Sequence, residues 1–343
     1  MTPKDSYSRR HFLKAGALGT LGLAAGAAAL AAGRGAAAQT GADGADHSHH
    51  GGIAMPGVVG EVDHARNGFN PTDILTDFNW GDRVSTAADG RTLREYDFIA
   101  SDKDVEVAPG LFFPAWTYNG RIPGPTIRAR EGDRLRLNFT NASAHPHTMH
   151  FHGVHPAGMD GVYEVIQPGE RFVYEFDAEP FGVHQYHCHV MPLAKHIAKG
   201  LYGAFIVDPP GGWPPADREF VMVMAGNDVD FDGGNDFYNV NFIPFHYDRH
   251  PIQIKVGELV RVFLVNMLEF DLLNSFHLHA NFFNWYPTGT SLTPSEFTDT
   301  IILGQAQRGM LEFRYRYPGK YMFHAHVTEF AELGWTGVFA VEA

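Results

Sequence analysis

Residues 130–141, "REGDRLRLNFTN", and residues 255–266, "KVGELVRVFLVN", carry one pattern twice: a glycine turn, then apolar side chains at every second position, closed by asparagine. A period of two is the mark of a strand with one buried face. The flanking segments repeat as well. "REYDFIA" precedes the first copy, with "RFVYEFD" and "GAFIVD" after it; "EFVMVMA" precedes the second, with "GMLEFRYRY" and "TGVFAVEA" after it. Because each unit must close its own core, the duplication predicts an all-β chain of two Greek-key β-sandwich domains. The first spans 91–210 and the second 211–343, joined through "DPPGGWPPAD" at 208–217, a linker by composition. Residues 39–90 precede them as an arm, in which "FNPTDILTDFNWG", 69–81, suits packing on a domain surface.

The first 38 residues have a different character. "SRRHFLK" leads into a weakly apolar Gly/Ala stretch and then "AAAQT", the pattern of a twin-arginine export signal cleaved after Ala38. Its Gly and Ala content transfers poorly into lipid, which argues against a transmembrane anchor. The expected location is the periplasm or the exterior. The leader's Lys4, Arg9, Arg10, Lys14 and Arg34 outweigh Asp5, so the remainder is still more acidic than the whole chain's net −13. That charge disfavours nucleic acid and anionic membrane surfaces as partners.

The chain has one cysteine, Cys188, which excludes an internal disulfide. Its neighbours are His187 and His189, and thiolate with imidazole is a donor set for a soft transition metal. Each half also carries two His-x-His pairs: His150/His152 and His187/His189, then His277/His279 and His324/His326. Residues two apart on a strand face the same side, so each pair can aim two imidazoles at one metal region. Isolated pairs at His47 and His145 show that the spacing also arises by chance, but four pairs at matching places in two repeats are a stronger signal. By the same parity Cys188 faces away from His187 and His189, and His147 away from His150 and His152. Cys188, His147 and the downstream His196 can then converge on a separate metal, the ligand set of a blue-copper site. The "DHSHHGG" segment at 46–52 is read as a solvated linker.

From "WTYNGRIPGPTIRAREGD" through "HTMHFHG", "HCH" and "HLH" to "HAH", the chain resembles the multicopper oxidases, and within them the two-domain members with cupredoxin-like domains. The resemblance implies that His147, Cys188 and His196 ligate a type 1 copper. His150 and His277 match type 2 ligands, and His152, His187, His189, His279, His324 and His326 match type 3 ligands. Copper would then number about four per chain. The second half has Ala325 where a cysteine would stand, so it carries no type 1 site. The resemblance further implies a homotrimer whose clusters lie between subunits, dioxygen as electron acceptor, and a small phenolic or metal-ion donor. Asp160 resembles the family's proton-delivering acid, although a turn role before Gly161 suits it as well.

Copper nitrite reductases share this layout and are the competing reading. Their pattern is His-x-x-Asp-x-His followed by His-Cys-Ala; here the Asp place is His150 and the Ala place His189. A copper-binding protein without turnover is the other alternative, disfavoured because no Met-rich insert is present. In nitrite reductases a methionine stands five residues after the second histidine ligand, a place held here by Leu201. Leucine has no donor atom, so a raised reduction potential is expected unless Met191 or a carbonyl supplies the axial contact.

Overall fold

Alternation becomes pleat most plainly in the strand Arg134–Asn141, whose residues are buried at every second position. The computed structural model describes residues 60–343; the expected export signal and the His-rich segment at 46–52 lie outside the described residues. In the first half, one sheet runs Phe78–Asn79, Thr126–Arg130, Tyr202–Asp208, Gly182–His187, His150–Phe151. The other runs Arg83–Thr86, Thr92–Ala108, Arg134–Asn141, Arg171–Asp177, with Leu111–Tyr118 folded back on the long strand. Leu135, Leu137 and Phe139 from the second sheet meet Phe151, Tyr186 and Phe205 from the first in one core.

The second half repeats the plan. Its six-stranded sheet centres on Arg218–Asn227, Val260–Asn266 and Arg308–Phe313, and its five-stranded sheet on Thr336–Glu342, Gly319–His324 and Leu273–Leu278. The repeated segments hold equivalent places: Arg134–Asn141 lies parallel to Thr92–Ala108, as Val260–Asn266 lies parallel to Arg218–Asn227. The fold is all-β with two cupredoxin-like sandwiches, as the duplication predicts. One segment is shorter than expected, since "GMLEFRYRY" leaves the sheet after Phe313.

A third apolar cluster joins the halves, with Val183 and Ile206 against Val221, Val223, Phe263 and Val265. Beside it runs a chain of buried ion pairs. Arg128 Nε lies 2.9 Å from Asp208 Oδ1 and its Nη1 2.7 Å from Glu219 Oε2. The other Glu219 oxygen lies 2.9 Å from Arg261 Nη1, and Glu312 accepts from the same guanidinium. Arg261 is only 1% exposed. Removing one partner from such a network leaves a buried charge uncompensated. Glu219→Ala is therefore expected to destabilise the fold by about 3 kcal/mol, at the low end for a buried pair because Glu219 is partly solvated; the urea midpoint reads it.

Linker and arm are both built in. Trp213 of the linker donates from Nε1 to Asp208 Oδ1 at 2.9 Å and packs on Phe263. In the arm, Phe78–Asn79 runs parallel to Thr126–Arg130, and Ile74 and Leu75 are buried. No described helix is long and apolar enough to cross a membrane.

Candidate metal centres

The chain leaves the strand Gly182–His187 at its last residue, so Cys188 and His189 stand just beyond the sheet rather than within it. The two still diverge as parity requires. Cys188 is buried in the first-half core, while His189 turns toward His150, with ring centroids 5.2 Å apart.

Around Cys188, three predicted residues converge. His196 lies on the helix Leu193–Ala198, and its Nδ1 is 3.2 Å from Cys188 Sγ; His147 Nδ1 is 3.9 Å from the sulfur and 3.2 Å from His196 Nδ1. All three side chains are buried. The outer nitrogen of His147 sits 2.8 Å from Ser143 Oγ. That hydroxyl donates to the His145 carbonyl and so accepts from His147 Nε2–H. His147 Nδ1 thus bears a lone pair aimed at the thiol and at His196. Burial, with His196 and His145 nearby, pushes His147 down to about 3, and burial first pushes His196 down to about 4. Burial also raises the Cys188 thiol. Inward-facing neutral imidazoles and a buried sulfur fit a bound cation, which favours the thiolate and separates the lone pairs. The backbone braces this pocket: Cys188 N–H donates to the Leu201 carbonyl at 3.0 Å. Leu201 is fully buried in the same core as Cys188, whereas Met191 is 76% exposed. Trp116 closes the outer side, its ring 4.7 Å from His196 and 5.2 Å from His147.

The histidine pairs form two separate clusters in the chain. In the first half, His150 pairs across the sheet with His187. Its ring lies 5.1 Å from those of His152 and His187. In the second half, His277 pairs with His324 in the same manner, 5.0 Å from His279 and 5.1 Å from His326. The hydrogen bonds repeat as well. His187 Nδ1 donates to the Cys188 carbonyl at 2.9 Å, and His324 Nδ1 to the Ala325 carbonyl at 2.7 Å. His150 Nδ1 donates to the Asp160 carbonyl at 2.7 Å, and His277 Nδ1 meets the Asp299 carbonyl at 2.9 Å. Each bond fixes a tautomer with the lone pair on Nε2. Those nitrogens converge: His152 Nε2 is 3.2 Å from His187 Nε2, and His279 Nε2 is 2.9 Å from His324 Nε2. Burial pushes His152 down to about 2 and His187 to about 4, and lowers His150, His279 and His324. The first cluster is partly to fully buried, but His279 and His326 are exposed.

Asp160 ends a short turn at Ala157–Met159, the local role expected of it. Its carboxylate also reaches the cluster's edge, with Oδ1 3.2 Å from His150 Nδ1 and 3.7 Å from His155 Nε2. The bracing groups Ser143, Asp299 and Trp116 were not foreseen. Four of the histidine contacts use backbone carbonyls, those of Asp160, Cys188, Asp299 and Ala325, for which residue type gives no signal.

His184 lies behind the first cluster, donating from Nε2 to the Pro180 carbonyl at 2.8 Å, and burial pushes it down to about 4. Between that value and the unfolded value near 6.5, the unfolded chain binds more protons, so stability falls as pH drops through this window. His184 contributes about 1.4 kcal/mol per pH unit there. In metal-free protein, the urea midpoint of His184→Phe is expected to fall less between pH 6.5 and 5 than that of the parent; parallel slopes would contradict the assignment.

Family models described as multicopper oxidase match residues 100–212 and 215–343. A solved multicopper oxidase is 62% identical, with a TM-score of 0.81, over 82% of this chain and 100% of that one. A copper nitrite reductase structure from Nitrosomonas europaea is 30% identical with a TM-score of 0.68, over 73% of this chain and 94% of that one. Among curated relatives, the copper-containing nitrite reductase of Neisseria meningitidis is 29% identical over 66% of this chain and 63% of its own length, so the match spans just under two thirds of that relative. Two matched halves, the 62% identity over a whole solved chain, and the thiol and imidazole clusters lead to one conclusion: the chain belongs to the multicopper oxidases, copper-dependent oxidoreductases of cupredoxin-like fold related to the copper nitrite reductases.

Proposed function

We propose that the chain is an exported, laccase-like oxidase that couples one-electron oxidation of a phenolic or metal-ion donor to the four-electron reduction of dioxygen to water. The observation that carries the reading is the matched pair of histidine tetrads: in each, two imidazoles are tied through Nδ1 to backbone carbonyls and two Nε2 atoms approach one another. His147, Cys188 and His196 hold the type 1 copper; His150 and His277 hold the type 2 ion; His152, His187, His189, His279, His324 and His326 hold the type 3 pair. Bound there, copper supplies one-electron redox chemistry at the thiolate and dioxygen reduction at the histidine cluster.

The protein's own groups divide the remaining work. Trp116, itself buried, packs against His147 and His196 and shields them from water. The peptide linking Cys188 to His187 joins the two centres by covalent bonds. Asp160, beside His150, holds and passes protons for water formation. Separate tetrads, with His279 and His326 exposed, support a homotrimer in which the first half of one subunit completes its cluster with the second half of the next.

Leu201 sets the potential. With Met191 turned to solvent and Leu201 buried beside Cys188, the type 1 site lacks a thioether, which favours the reduced ion. Leu201→Met is expected to lower the potential in a redox titration and slow oxidation of high-potential phenols; an unchanged potential and spectrum would show that this side chain does not face the metal. The function is tested by offering copper-loaded protein phenols, Cu(I), Fe(II), Mn(II) and nitrite. Oxygen uptake with at least one donor is expected, without nitric oxide from nitrite.

A further inference from the structure

Three histidines outside these centres meet where the arm crosses the second half. His64 opens the helical turn His64–Asn67, His246 opens His246–Arg249, and His250 begins the strand His250–Lys255. One ligand atom from each lies within 4.8 Å of the other two. The His246 ring is 5.1 Å from His64 and 4.6 Å from His250. His246 Nε2 is paired with Thr72 Oγ1 at 2.8 Å, while its Nδ1 is shielded from solvent with no hydrogen-bond partner. Both ring nitrogens of His64 are likewise shielded and outside hydrogen-bond geometry, although the Phe69 backbone acts on the ring. His250 Nε2 is held by Glu61 Oε1 at 2.6 Å.

Buried imidazole nitrogens without partners are uncommon, and three in one cluster point to an absent electrophile. The carboxylate on the third ring is the arrangement that orients metal-ligating histidines. Arg249 is the nearby like charge, and its Nε lies 3.6 Å from Glu61, which offsets it. We propose that His64, His246 and His250, oriented by Thr72 and Glu61, form a binding site for a divalent transition ion of the zinc class. An all-imidazole donor set suits Zn(II) and Cu(II) and lacks the sulfur that would select Cu(I). The ion would staple the arm to the second half: His64 belongs to a segment whose Asn67 bonds the Glu106 backbone of the first half, whereas His246 and His250 belong to the second.

The test uses copper-loaded protein equilibrated with Zn(II) and dialysed, with copper and zinc both quantified. The parent is expected to retain about one more divalent ion per chain than His64→Gln or His250→Gln. Blue absorption reports that each variant is folded with its type 1 site intact. In chelator competition, Glu61→Gln should weaken zinc binding by about 10- to 100-fold, the usual effect of losing a group that orients a ligand. Equal total metal in the parent and both histidine variants, with blue absorption retained, overturns the site. So does a Glu61→Gln affinity equal to the parent's.

Discussion

Cys188→Ser is expected to erase the intense blue absorption and reduce donor oxidation to background, while copper at the histidine clusters remains. The sulfur is the soft donor among His147, Cys188 and His196, and a serine hydroxyl cannot replace a thiolate in charge or softness. The pocket should survive, because Cys188 N–H donates to the Leu201 carbonyl and His189 N–H to Thr148 Oγ1 at 3.0 Å without using the sulfur, and the Thr148 N–H that donates to Sγ at 3.4 Å can donate to a serine hydroxyl. His150, His152, His187 and His189 face the other way, and His150 and His187 keep their tautomer-fixing bonds. Copper analysis, visible absorption and donor oxidation together separate this outcome from general unfolding. Persistent blue colour would place the type 1 site elsewhere.

The double change His150→Asp with His189→Ala is expected to abolish oxygen reduction and leave the blue site in place. His150 lies at the centre of the first tetrad, with ring contacts to His152, His187 and His189. The second tetrad cannot hold the cluster alone, since two of the first tetrad's four ligands would be lost or altered. The same changes recreate the residues that the nitrite reductase pattern places at these positions. Oxygen uptake at the parent rate would show that these histidines do not ligate the cluster.

The fold was legible because its signals are covalent and periodic. The alternation in 134–141 and 260–266 is the pleat itself, and the His-x-His pairs fall at the ends of strands that occupy the same place in both halves. Parity separated Cys188 from its neighbours even though neither Cys188 nor His189 lies within a strand: Cys188 is buried in the core and His189 faces His150. Less was legible where position depends on tertiary packing. His64 is far in sequence from His246, and only the helical spacing of His246 and His250 hinted at a shared face. Ser143 and Asp299 act on ligands through contacts that no local pattern encodes.

The central claim, that the paired tetrads carry out four-electron reduction of dioxygen, is tested most directly by measuring oxygen consumed against donor oxidised by copper-loaded protein, with peroxide and nitric oxide followed in parallel. The account predicts one dioxygen for every four one-electron equivalents, no accumulated peroxide, and no nitric oxide when nitrite is supplied. One dioxygen per two equivalents with peroxide accumulating, or nitrite reduction without oxygen uptake, would contradict it.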